Sequence, residues 1–256
     1  MKGEKSYFTI QKFDSLESTN KYCEALDLAE VEDCTCYWAL EQTAGIGQRG
    51  NCWASEAGKN LTFSLVLHPD FLPADRQFKL TEALSLALCD FLKDYKDLKD
   101  FRDLKVKWPN DIYVGGKKIC GTLVSTRLTG NCIASAICGI GLNVNQTIMF
   151  PDWVPNPTSL ALLTGKEYEL EPLLRRLLVC IEKRYNELKS GADPEPEYLE
   201  HLLNLGVPAR YKYNEDVITA TITGVDPHGR LLLSTTDDHR LTCGMKEIEL
   251  VWPGNQ

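Results

Sequence analysis

The stretch that decides the reading is Lys107-Trp108-Pro109-Asn110-Asp111-Ile112-Tyr113-Val114-Gly115-Gly116-Lys117-Lys118-Ile119-Cys120-Gly121. Gly115-Gly116 separates two β-prone runs, Ile112 to Val114 and Lys117 to Val124, a strong local signal for a hairpin closed by a two-residue turn. Counting outward from the turn sets Val114 opposite Lys117, Tyr113 opposite Lys118 and Asp111 opposite Cys120. Side chains alternate with period two, so Asp111, Tyr113, Lys118 and Cys120 are expected on one face, and Ile112, Val114, Lys117 and Ile119 on the other. The second face is largely apolar and should pack on a core, which leaves the Asp111/Lys118 face to meet a ligand. Pro109 has no N–H for a ladder and pushes Trp108 toward an extended conformation, so Asn110 and Asp111 should stand at the strand's open end. The plain alternative is a solvated ion pair on a surface hairpin, which contributes little.

The 256 residues, 43% of them hydrophobic, suffice for one large domain with or without a small appendage. A formal charge of -8 supplies no basic field for a phosphate backbone, so nucleic acid is not expected as a partner. The most apolar stretch, Cys132 to Val144, is short and broken by glycine, and the N-terminus has no signal-like run. A soluble, cytoplasmic protein without a membrane partner is expected. The ten cysteines are scattered through apolar segments and read as reduced, small hydrophobes. Cys34-x-Cys36 lacks the companions of a zinc site, and His68, His201, His228 and His239 have no ligand spacing.

Tyr7 to Phe13 alternates as a strand and leads through Ser18-Thr19-Asn20 into a helical pattern, Lys21 to Leu28. These three polar residues suit a helix cap, and equally the polar head of a neutral ligand beside free backbone N–H groups. A second strand, Cys36 to Leu40, runs into Gln42-Thr43-Ala44-Gly45-Ile46-Gly47-Gln48-Arg49-Gly50-Asn51-Cys52-Trp53. Gly45, Gly47 and Gly50 spell G-x-G-x-x-G, yet a dinucleotide fingerprint opens a helix and here another strand, Leu61 to Leu67, follows. What is left is a glycine-rich connection between strands, able to close on an anion through Arg49 and to cover a flat ring with Trp53. Arg76 to Leu98 and Glu171 to Lys189 have helical apolar spacing, and Pro194 to Leu205 reads as a short helix. Ile133 to Ile140 reads as a buried strand ending in Gly139-Ile140-Gly141-Leu142-Asn143. From Val207 to Trp252 only short strands and turn signals occur, which indicates a small SH3-type β-barrel after Gly206.

Taken together, Ser18-Thr19-Asn20, the Gln42 to Trp53 loop, Lys107-Trp108-Pro109-Asn110-Asp111, Lys118-x-x-Gly121, Gly139-x-Gly141-x-Asn143 and the terminal barrel resemble biotin protein ligase over nearly the whole chain. The resemblance implies an α+β fold: a mixed or antiparallel sheet with flanking helices, like class II synthetases, over residues 1–205, and an SH3-like barrel over 206–256. It implies the single-function form, because the chain starts at the first strand where repressor members carry a DNA-binding domain. A homodimer is left open.

The implied reaction joins biotin's carboxylate to AMP from ATP, then passes the acyl group to a lysine of a biotin carboxyl carrier protein. Bringing two anions together requires positive charge where negative charge builds. The resemblance assigns this to Lys118 with Arg49, and assigns Mg²⁺ to Asp111, which uses one carboxylate plus substrate oxygens. Lys107, Asn110, Gly50, Trp53 and Asn143 fall to the nucleotide. Ser18, Thr19, Asn20, Gln42 and the loop residues Gly45, Ile46, Gly47 and Gln48 fall to biotin, with Gly121 and Gly141 leaving room for its ring and chain. The family loop usually reads G-R-G-[R or Q]-R-G, and here Ile46 stands at the first arginine, which implies either looser retention of biotinyl-AMP or a grip by Arg49 alone. Lipoate ligase shares the fold and the adenylation chemistry but not the Gln-Thr-Ala-Gly opening with Trp53. A non-catalytic biotin-sensing module would not keep the Lys118/Asp111 pair.

Overall fold

β3 (Leu61–Leu67) is buried along its whole length, and the main sheet is built outward from it. The computed structural model describes residues 7–48, 51–95, 103–152 and 154–252. Before β3 come β1 (Thr9–Leu16), α1 (Thr19–Glu24) and β2 (Thr35–Gln42). After it come α2 (Phe78–Lys93), β4 (Leu104–Lys107), β5 (Asp111–Val114), β6 (Lys117–Thr129), β7 (Cys132–Leu142), α3 (Leu160–Thr164), α4 (Leu170–Lys189) and α5 (Glu195–His201). The sheet order is β1-β2-β3-β7-β6-β5-β4. Only the β1–β2 pair is parallel, so the sheet is mixed, as expected. Among the described residues no helix is long and apolar enough to cross a membrane.

Alternation along β3 explains the layering. Leu61, Phe63, Leu65 and Leu67 pack with Leu80, Leu84 and Leu88 of α2 and Leu174, Leu177 and Ile181 of α4 in one large core. Val66, with Tyr37 and Ile137, turns to the other face and packs on Cys23 of α1. Thr62 and Ser64 share that second face, so polar groups are buried beside α1. Truncating a core leucine such as Leu88 to alanine would cost about 2–5 kcal/mol.

The glycine turn forms as expected, with φ of 57° at Gly115 and 69° at Gly116, the double positive φ of a type I′ hairpin. Two features of the hairpin differ from the count made on sequence. A register shift between Ile112 and Tyr113 puts Cys120 opposite Ile112 and Gly121 opposite Asp111. The extra residue is a β-bulge, and it turns Cys120 into the core with Ile112 and Ile119 instead of onto the Asp111/Lys118 face. The second difference is β4, which the sequence reading left out: Trp108, Pro109 and Asn110 form a tight turn with a cis Trp108–Pro109 peptide, and Lys107 pairs back with Asp111.

Helix limits also shift. α1 starts at Thr19 because Ser18 takes the N-cap, and α2 covers 78–93 of the expected 76–98, residues 96–98 lying outside the described set. β1 begins at Thr9, two residues later than expected, and runs on to Leu16.

The C-terminal strands β8 (Pro208–Tyr213), β9 (Asp216–Val225), β10 (Leu231–Thr235), β11 (Arg240–Cys243) and β12 (Ile248–Leu250) form a second, antiparallel sheet in the order β11-β10-β9-β8-β12. Its apolar face, including Tyr211, Ile222, Leu231 and Ile248, continues the main core. One bond and one ring stack fix it there, and a bond from α5 braces the same turn. Trp108 Nε1 donates to the Gly229 carbonyl at 3.0 Å, and Tyr198 Oη of α5 donates to the Pro109 carbonyl at 2.8 Å. Tyr113 stacks on Trp252 with centroids 5.1 Å apart. Both sheets therefore grip the Lys107–Asp111 turn.

Candidate active site

Between the sheets lies a cavity of about 250 Å³. Its polar corner comes from the β1–α1 junction. Ser18 is extended, and its Oγ accepts from Lys21 N at 3.5 Å. Thr19 donates through its backbone N and its Oγ1 to Gln42 Oε1, at 2.7 and 3.1 Å. Ser64 Oγ stands 2.8 Å from Thr19 Oγ1 and donates to Asn20 Oδ1 at 2.5 Å. Asn20 is thereby held by its oxygen, and its Nδ2, a buried donor in the cavity wall, has no partner among the described residues. A buried amide without a protein partner is costly unless something in the cavity accepts from it. A side chain at Gly139 would collide with Asn20 Oδ1, which explains the glycine at that end of β7.

At the other corner Lys118 Nζ meets Asp111 Oδ2 at 2.7 Å, with both side chains about four-fifths buried. The expected meeting of these residues is found, although the bulge sets Asp111 one step further along β6 than counted. Asp111 Oδ1 stays on the Gly121 side, 3.1 Å from where a Cβ would stand on that glycine. Burial pushes the Tyr113 hydroxyl well above its usual range, with Asp111 adding to the shift. That phenol is a packing group under Trp252.

The glycine-rich connection folds back on itself. Ile46 pairs with Cys52, Gly47 N donates to the Asn51 carbonyl at 2.7 Å, and Trp53 N donates to the Gly45 carbonyl at 2.9 Å. It is a hairpin between strands, not the opening of a helix. Ile46, Gly47 and Gln48 line the cavity, while Gly45 packs against the Trp53 carbonyl. Arg49 and Gly50 lie outside the described residues.

Trp53 departs from the expected arrangement. Gly121 and Gly141 were to leave room for a ligand, but in this structure the indole itself lies on them: a Cβ at Gly141 would stand 2.5 Å from its Cζ2, and one at Gly121 would be 3.3 Å from Cζ3. The indole N–H is buried without a partner among the described residues, and Lys118 Nζ lies 6.0 Å from the ring centroid.

Ser18, Thr19, Asn20, Gln42, Lys107, Asp111, Lys118, Gly121 and Gly141 all reach the cavity. Asn110 and Asn143 do not form its wall. Asn110 donates to the Thr122 carbonyl and Asn143 donates to the Thr158 carbonyl at 2.9 Å, so both amides tie down backbone. Sequence reasoning missed the wall made by Tyr211, Ile248, Glu249 and Trp252. Nothing local marks these residues, because they reach the cavity only through the docking of the second sheet. Thr122 was also missed, although its place one residue after Gly121 in the hairpin was a usable signal.

The sequence model of the Biotin/lipoate A/B protein ligase family matches residues 12–143. The bifunctional ligase/repressor BirA of Bacillus subtilis is 31% identical over 239 residues, covering 92% of this chain and 70% of that protein. The biotin–[acetyl-CoA-carboxylase] ligase of Paracoccus denitrificans is 30% identical over 224 residues, covering 85% of this chain and 90% of that one. Among solved structures, the biotin protein ligase of Aquifex aeolicus in complex with biotin and ATP superposes with a TM-score of 0.76 at 25% identity, over 94% of this chain and 98% of that one. The matched span holds both corners of the cavity, from Ser18 to Gly141, and the chain belongs to the biotin/lipoate A/B protein ligase family.

Proposed function

We propose that the protein is an ATP-dependent, AMP-forming biotin ligase that passes the activated vitamin to a lysine of a biotin carboxyl carrier protein. The observation that carries this reading is one cavity with two unlike ends: an unpartnered amide at Asn20, and the Lys118–Asp111 pair. A ureido ring, neutral with one strong acceptor and two donors, suits the first end. Asn20 Nδ2 would donate to its oxygen, and the Ser18, Thr19 and Gln42 oxygens would accept its N–H groups. The carboxylate at the far end of biotin then reaches Lys118.

In the first step the biotin carboxylate oxygen attacks the α-phosphorus of ATP and pyrophosphate leaves. Lys118 Nζ would stabilise both anions as they meet, and Arg49 would add positive charge. Lys107 lines the same end and serves the phosphates. In the second step the carrier's lysine amine attacks the acyl carbon and AMP leaves. Trp53 covers the strand between the two corners and shields the acyl-adenylate from water. Among the described residues no group of three or more His, Cys, Asp or Glu could hold an ion by itself. Asp111 keeps one carboxylate oxygen unclaimed by Lys118, so it fits Mg²⁺ held jointly with ATP, which neutralises phosphate charge when bound. Residues 1–205 form the ligase unit, and 206–256, read as an SH3-like barrel, supply a wall of its cavity.

The test is ATP–pyrophosphate exchange with biotin and, separately, with lipoate, followed by the mass of a carrier domain incubated with protein, ATP, Mg²⁺ and biotin. Exchange with biotin and a biotinylated carrier are expected. Exchange with lipoate alone, or with neither acid, overturns the reading.

A further inference from the structure

Gln146 follows β7 and is 1% exposed, although it stands outside the cavity wall. A buried glutamine must satisfy one acceptor and one donor group, and this one does so on two separate chain segments. Its Oε1 accepts from Glu56 N at 3.2 Å and from Asn60 Nδ2 at 2.5 Å. Its Nε2 donates to the Met149 carbonyl at 3.1 Å. Asn60, equally buried, completes the set: Oδ1 accepts from Val144 N at 2.9 Å, and Nδ2 also donates to Ser55 Oγ at 3.0 Å.

What hangs from each side gives the cluster its meaning. Glu56 lies three residues beyond Trp53, at the root of the hairpin that brings Ile46, Gly47 and Trp53 to the cavity. Met149 leads along the chain to Val154 and Pro155, which also line the cavity, and then to Asn156. Asn156 and Thr158 clasp the backbone of Lys118, with Lys118 N donating to the Asn156 carbonyl and Thr158 N to the Lys118 carbonyl, both at 2.8 Å. Met149 itself has φ of 58° and is 76% exposed, so packing contributes little to holding its uncommon backbone. Its carbonyl is tied to Gln146.

We propose that Gln146 is a positioning residue that locks the two cavity-covering segments to one another, so that retention of bound biotinyl-AMP depends on an amide that never touches it. The inference rests on the ligase reading of the cavity. Two variants of the full chain separate its parts. Gln146→Met keeps the shape and loses every bond, whereas Gln146→Glu keeps the acceptor for Glu56 N and Asn60 and loses the donor to Met149. The readouts are the dissociation rate of biotinyl-AMP formed in place from biotin, ATP and Mg²⁺, and hydrogen exchange of segments 51–60 and 146–152 with and without biotin.

Gln146→Met is expected to release biotinyl-AMP about tenfold faster, with ligand protection lost from both segments, as the loss of one to two buried hydrogen bonds implies. The rate of the first step at saturating substrates should change less than about threefold, since no reacting atom is touched. Gln146→Glu should lose protection in 146–152 and keep it in 51–60. Wild-type release and wild-type protection in folded Gln146→Met overturn the proposal. If that variant does not fold, the glutamate variant decides, and protection kept in both segments overturns it equally. Failure of the wild type to form biotinyl-AMP would instead sink the ligase reading.

Discussion

Gly141→Ala tests the position of Trp53 directly. The added methyl would stand 2.5 Å from Cζ2 and 2.7 Å from Nε1 of the indole, against an ordinary carbon contact of about 3.5–4.0 Å. The ring must therefore withdraw by about 1 Å or more. It cannot do so freely, because Trp53 N is bonded to the Gly45 carbonyl and the ring edge already touches Gly121. Overpacking of this kind costs about 1–3 kcal/mol. A double-mutant cycle isolates the contact: in a Trp53→Ala background the methyl meets no ring, and most of that cost should vanish, a coupling of about 1–3 kcal/mol. Denaturant unfolding of the four proteins gives the stabilities, and biotin titration of each reports whether the cavity still accepts its ligand. Additivity within about 0.5 kcal/mol, with biotin affinity unchanged by Gly141→Ala, would refute the placement of the indole on β7.

Lys118→Ala should lower biotin-dependent pyrophosphate exchange at least about a hundredfold; near-normal exchange rules out its assigned role. Ile46→Arg, which restores the usual charge in the hairpin, should slow release of biotinyl-AMP, and an unchanged off-rate removes the idea that Ile46 loosens retention. Glu82 in α2 is 2% exposed, and burial lifts its carboxyl to about 7 against the opposing charge of Lys79. Between the unfolded value of 4.5 and about 7 the native state holds a proton that the unfolded chain has released, so this group lowers stability as pH rises through that window. Glu82→Gln should flatten the decline and gain about 1–3 kcal/mol at pH 8 relative to pH 5, Lys79 keeping Asp193 and Glu195 as partners. Unfolding curves at the two pH values check it, and an unaltered pH dependence counts against the buried charge.

Local chemistry was enough to read much of this molecule. The paired positive φ at Gly115 and Gly116, the buried run of β3, the capping position of Ser18 and the rejection of a helix after Gly50 each follow from rules that act within a few residues. The meeting of Asp111 with Lys118 also came from such a rule, since a two-residue turn places close neighbours regardless of what surrounds them. Even there the reach was limited: one bulged residue sent Cys120 into the core, because burying a thiol beside Ile112 is favoured over leaving it on the polar face. Whether a strand slips by one position depends on what it packs against, and that is not written in the strand.

Tertiary structure alone decided the rest. Asn143 and Asn110 have the residue type for ligand contact, yet each donates to a backbone carbonyl that only the fold brings near. Tyr211, Glu249 and Trp252 became cavity wall because the C-terminal sheet docks on the Trp108 turn, through a bond spanning 121 residues. Gln146 carries no local signal of its role, because its amide joins segments 86 and 90 positions upstream to Met149. Short-range sterics and period-two alternation are carried by the chain itself, whereas the partner of a buried polar group is settled by which distant segment arrives to satisfy it.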